Sequence, residues 1–181
     1  MTTLNSLILI FCLQAVLVMI SIPSSHCRTF KPRNENLIES TCKKTPNYNV
    51  CIQSLKSNPG SSSADVRGLA LIMVNVMKAK ANDALNKTHE LQRVATGHKQ
   101  KEALSSCASK YNAILVADIP SATEALLKGD PKFAEDGAND AANEATYCEN
   151  DCRGINLSLT KWNNAMHDVA AVTAAIVRNL L

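Results

Sequence analysis

The sequence predicts an all-α protein: an up-down-up-down four-helix bundle carrying an N-terminal helical hairpin and two disulfides. Two observations carry this. Aromatic residues are only 4% of a chain that is 46% hydrophobic, so its core is built from Ala, Leu, Ile, Val and Met, a palette that favours helices. In addition, apolar residues recur at intervals of three and four with no competing strand-like alternation. At 181 residues the chain has room for one ordinary domain.

The N-terminus comes first. Met1 to His26 contains no Lys, Arg, Asp or Glu, and Leu7 to Ile22 is nearly continuous apolar sequence followed by Pro23-Ser24-Ser25. This is the apolar run and small-residue exit of a secretory signal peptide over residues 1–26, with cleavage between 24 and 27. A membrane anchor is the competing reading, but the run is short for a span and no stop-transfer charges crowd its end. Seven cysteines are present, and Cys12 leaves with the signal. A secretory address with this count implies disulfides. Metal is the weaker alternative: there is no Cys-x-x-Cys pair, and His89, His98 and His167 are far apart.

The hairpin is expected over 28–60, with short helices at 34–41 and 46–55 joined at Lys43-Lys44-Thr45. A Cys42–Cys51 bridge would clip it together and stabilise by about 2–3 kcal/mol. Asn58-Pro59-Gly60 and a serine run then break the chain, and the bundle occupies 64–181. Its first helix presents Leu69, Ile72, Met73 and Val76 and ends near Val94, with Gly97 as the stop. Its second presents Leu104, Cys107, Ala108, Tyr111 and Leu115. Pro120 should kink or break it, and Gly129 ends it. The third runs Ala134, Ala138, Ala141, Ala145, Cys148, Cys152, and the fourth Leu159, Trp162, Met166, Val169, Thr173, Ile176, Leu180. Such seams are what bundle helices present to one another.

Cys107 and Cys148 lie on the apolar faces of neighbouring helices, so a 107–148 bridge would cross the core and stabilise by about 4 kcal/mol. Cys152 is left over. It is read as a buried free thiol, against a bond to Cys27 or a role as alternative partner for Cys107. Asn86-Lys87-Thr88 and Asn156-Leu157-Ser158 are glycosylation sequons.

No catalytic constellation emerges. No nucleophile elbow, phosphate loop or Glu-x-x-His metal pair is present. Glu135-Asp136 and Glu149-Asn150-Asp151 read as solvated helix faces. The net charge of +3 comes without a basic cluster or stacking aromatics, which speaks against nucleic acid. Weight therefore shifts to a binding role, with no cofactor, no metal and no membrane once the signal is removed. A lipid-carrying bundle is disfavoured by the closely spaced Ala seam.

Gly129-Asp130-Pro131-Lys132-Phe133 stands out between two helices. Asp130 suits an N-cap and Pro131 the first helical position, and Glu135 and Asp136 suit the positive end of the helix dipole. Lys132 opposes that dipole. Phe133 falls one residue off the Ala seam, so it either projects as a contact tip or folds over the bundle end.

Thr41-Cys42-Lys43-Lys44-Thr45-Pro46-Asn47-Tyr48-Asn49-Val50-Cys51 resembles the N-terminal hairpin of the plant invertase and pectin methylesterase inhibitors. Leu69 to Val74, Lys78 to Asn82, Gly129 to Gly137 and Ala175 to Leu181 resemble the invertase inhibitor branch in particular. The resemblance covers residues 28–181. It implies the four-helix bundle with hairpin and bridges at 42–51 and 107–148. It also implies that Pro131, Lys132 and Phe133 enter the substrate cleft of a target enzyme, with Asp130 as their support. The implied partner is an acid invertase of cell wall or vacuole, inhibited competitively by a monomer that has no activity of its own. Pectin methylesterase is the alternative target. The implied location is the apoplast, with the vacuole as the alternative. Cys152 departs from the family pattern.

Overall fold

The computed structural model describes residues 33–181. The signal segment, its cleavage point, Cys12 and Cys27 lie outside the described residues. The hairpin pairs α1 (Arg33–Cys42) with α2 (Tyr48–Lys56), and a short 3-10 turn follows at Pro59–Ser62. Cys42–Cys51 closes the hairpin. Asn47 starts α2 by accepting from the Val50 N–H at 3.2 Å, and its amide donates to Asp168 on the bundle at 3.2 Å. One residue thus caps the helix and docks the hairpin.

The bundle consists of α3 (Val66–Val94), α4 (His98–Ala113) continuing through a π-turn (Ile114–Asp118) into α5 (Ile119–Lys128), then α6 (Pro131–Asp151) and α7 (Thr160–Arg178). The largest fully buried side chains include Tyr111, Leu69, Met73, Met77, Leu104, Ile114, Met166 and Ile176. All six seam residues of α6, Ala134, Ala138, Ala141, Ala145, Cys148 and Cys152, are buried. Small side chains there let neighbouring backbones approach. At Gly137 a Cβ would sit 3.0 Å from the Asp118 carbonyl oxygen, so a glycine is what allows α6 to press on the π-turn. Among the described residues no helix is long and apolar enough to cross a membrane.

Four details differ from the sequence reading. Pro120 does not break its helix, which runs on to Lys128. Proline lacks an N–H and crowds the carbonyl four residues back, and a single π-turn absorbs this just upstream. There the Ile119 N–H reaches back to the Ile114 carbonyl. Ile114, three residues after the buried Tyr111 and still bonded to the Lys110 carbonyl, takes the core position, and Leu115 is only half-buried. Gly97 is not a helix stop: with φ −77° it stands at the N-cap of α4. On α3 the buried set is Leu69, Ala70, Met73, Val74, Met77, Ala81, Ala84 and Thr88, whereas Ile72 and Val76 are half-buried. α3 is packed by α4 on one side and α7 on the other, so its buried face is wider than one stripe.

The second bridge, Cys107–Cys148, joins α4 to α6. Cys152 is a buried free thiol whose Sγ lies 3.7 Å from that of Cys107. Burial pushes this thiol up to about 11, with Glu149 and Asp151 adding to the effect. The three sulfurs lie within 4.8 Å of one another, but two are joined in the bridge, so only Cys152 offers a thiolate ligand.

Candidate functional site

The site is built where α5 ends and α6 begins. Gly129 adopts φ 83°, a left-handed conformation that a side chain disfavours. The N–H groups of Gly129 and Asp130 both return to the Ala125 carbonyl, satisfying an end group of α5. Asp130 precedes proline and is held out of the α region, at φ −112° and ψ 77°. Pro131 then opens α6 with its fixed φ. Asp130 occupies the N-cap position, but its side chain makes no capping hydrogen bond.

This tight corner orients the next two side chains. Phe133 is 62% exposed and does not fold over the bundle end. A hollow of about 400 Å³ lies beside its ring, lined by Ser121, Glu124, Lys128, Gly129 and Asp130 among others. The Lys132 ammonium lies 2.8 Å from Asp136 and 3.4 Å from Glu135. These carboxylates offset the cation's unfavourable place at the positive end of the helix. They also raise its pKa, the hydrogen bond to Asp136 most of all.

Glu135 corrects the sequence reading of a solvated acidic face. It is only 6% exposed, and Arg178 at the end of α7 grips it with Nε at 2.8 Å and a terminal nitrogen at 2.7 Å from the same Oε1. The hydrogen bond from Arg178 is the main reason its carboxyl sits below the usual range, partly opposed by burial. The start of α6 is thereby pinned to the end of α7. No spacing rule connects positions 135 and 178. The only sequence signal was that Arg178 falls in the C-terminal stretch resembling the invertase inhibitor branch.

The other end of α6 is also not simply solvated. Asp151 pairs with Lys110 at 2.8 Å. Glu149 accepts from Thr160 at 2.8 Å and from Asn163 at 2.5 Å, and Asn163 in turn accepts from the buried Tyr111 hydroxyl. His89, His98 and His167 are all exposed. Of the sequons, Asn86 is exposed in the middle of α3 while Thr88 is buried and donates to the Ala84 carbonyl. Asn156 is exposed in the α6–α7 connection.

The family model of the plant invertase/pectin methylesterase inhibitors matches residues 36–177. The chain belongs to that family. Within it, the "Cell wall / vacuolar inhibitor of fructosidase 1" of Arabidopsis thaliana is 43% identical over 141 residues, covering 78% of this chain and 67% of that protein. The "Cell wall / vacuolar inhibitor of fructosidase 2" of the same plant is 38% identical over 97 residues, 53% of this chain and 54% of that protein. The crystal structure of a mutant form of an Arabidopsis pectin methylesterase inhibitor superposes with a TM-score of 0.68 at 21% identity, covering 78% of this chain and 95% of that one. It shares the bundle fold of the family.

Proposed function

We propose that this family member is a secreted proteinaceous inhibitor of plant acid invertase. In this reading Pro131, Lys132 and Phe133 occupy the sucrose-binding cleft of the enzyme, and Asp130 supports the corner that presents them. The observation that carries it is the joint exposure of a cation and an aromatic ring on the first turn of a helix pinned at both neighbours. Names of relatives point the same way, since both are inhibitors of fructosidase.

The chemistry fits an acid glycosidase. Invertases are retaining enzymes with two carboxyl groups flanking the scissile bond. Lys132 stays cationic in acid and exchanges its own exposed Asp136 partner for carboxylates of the cleft. Phe133 supplies apolar burial at the rim, where an aromatic anchor contributes most. Occlusion is competitive and reversible, and the protein itself catalyses nothing. The apoplast is the destination we favour, with the vacuole as the alternative. A glycan would be carried on Asn156, because the Asn86 sequon is locked in a helix with its threonine buried.

The test is a parallel titration of acid invertase and pectin methylesterase with the purified protein. The expected result is inhibition of invertase alone, with an apparent inhibition constant that rises linearly with sucrose. Inhibition of pectin methylesterase with invertase untouched would overturn the proposal in favour of the other branch.

A further inference from the structure

Arg67 is an exposed cation that the fold does not use. It follows the N-cap Asp65 and Val66, so it holds the second helical position of α3. A cation there opposes the helix dipole, as Lys132 does at the same position of α6. Lys132 is compensated by two carboxylates, whereas among the described residues no carboxylate is within ion-pair reach of Arg67.

Its position is informative. A Cβ added to Gly129 would lie 3.8 and 3.9 Å from the two terminal nitrogens of Arg67. The guanidinium thus rests against the left-handed turn that introduces Asp130, Pro131, Lys132 and Phe133. Gly129 has no side chain to cover it, and Arg67 is exposed. The other cations at this end are already engaged: Lys128 with Glu124, Lys132 with Asp136 and Arg178 with Glu135. Arg67 alone among these four can meet an external carboxylate without first giving up an internal one.

We infer that Arg67 is a second cationic contact of the inhibitory tip, engaging a carboxylate on the rim of an acidic glycosidase cleft. The inference rests on the tip reading given above. A guanidinium suits such a partner because its planar fork pairs with both oxygens. A charge at the edge of an interface acts mainly on the rate of encounter.

The experiment measures association of the full protein with acid invertase for the unaltered chain, Arg67→Glu, Arg67→Gln and the Lys132→Ala/Phe133→Ala double variant. Each is measured at about 0.02 M and about 0.5 M salt, so that the screening length falls from about 20 Å to about 4 Å, with thermal unfolding recorded alongside. Arg67→Glu is expected to slow association by about tenfold at low salt and by about threefold or less at high salt. Arg67→Gln should fall between. The midpoint of unfolding of Arg67→Glu should stay level or rise, because an anion suits the second helical position. An association rate within about twofold of the unaltered chain, while the double variant fails to bind, overturns the Arg67 contact and leaves the tip reading standing. A loss of binding that merely follows a loss of thermal stability overturns it too. Full binding by the double variant overturns the tip reading and this inference with it.

Discussion

The two ends of α6 differ in kind. At Cys148, α6 is covalently tied to α4, a buried thiol sits beside the bridge, and the Tyr111–Asn163–Glu149 chain of hydrogen bonds closes the space between helices. At Pro131 the same helix leaves an aromatic ring and an ammonium in water. Of the charged residues there only Glu135 is buried, and it serves to pin the helix to α7. Rigidity is concentrated at one end and, in the function proposed above, recognition at the other, about 17 residues or 26 Å along the helix axis. An inhibitor benefits from this division. A tip on a stiff helix gives up little conformational freedom when it binds.

Removing the bridge is the strongest challenge to this contrast. Cys107→Ala/Cys148→Ala should lower stability by about 2–4 kcal/mol, measured by denaturant unfolding. Invertase inhibition under native conditions should remain within about twofold, because the tip is fixed by its own corner and by Arg178. A loss of inhibition in the still-folded variant would mean that the two ends are coupled.

A smaller effect comes from the π-turn between them. Asp118 has one carboxylate oxygen buried without a hydrogen-bond partner. Burial, and then the charges of Asp140 and Glu144, push its carboxyl up to about 6. The folded protein therefore holds this proton more tightly than the unfolded chain does. Its contribution is greatest at low pH and declines as pH rises from about 4 to about 6. Asp118→Asn should stabilise by about 1–2 kcal/mol at neutral pH, after allowance for solvent screening of a half-buried group, and by nothing near pH 4. Thermal midpoints across that range check this. A constant offset at all pH values would contradict it.

How much of this was legible in the sequence varies along the chain. The seam of α6 was fully readable, because its alternation of threes and fours depends on local spacing alone. Gly129, Asp130 and Pro131 were readable as a corner for the same reason. Glu135 was not. Its burial depends on an arginine that lies far along the chain and is brought near by folding. Next to Asp136 it looks like ordinary surface charge. Leu115 was less readable, because positions three and four after Tyr111 share a helix face and spacing alone does not say that Ile114 takes the core. Arg67 gave no signal either, since only the fold brings the start of α3 beside Gly129.

Lys132 and Phe133 are expected to carry inhibition without carrying stability. The direct test is Lys132→Ala/Phe133→Ala, with the inhibition constant against acid invertase and the thermal midpoint measured on the same preparation. Truncating a central cation and aromatic anchor should weaken inhibition at least about a hundredfold. Two exposed side chains should shift stability by no more than about 1 kcal/mol. Inhibition retained at full strength by this folded variant would contradict the account.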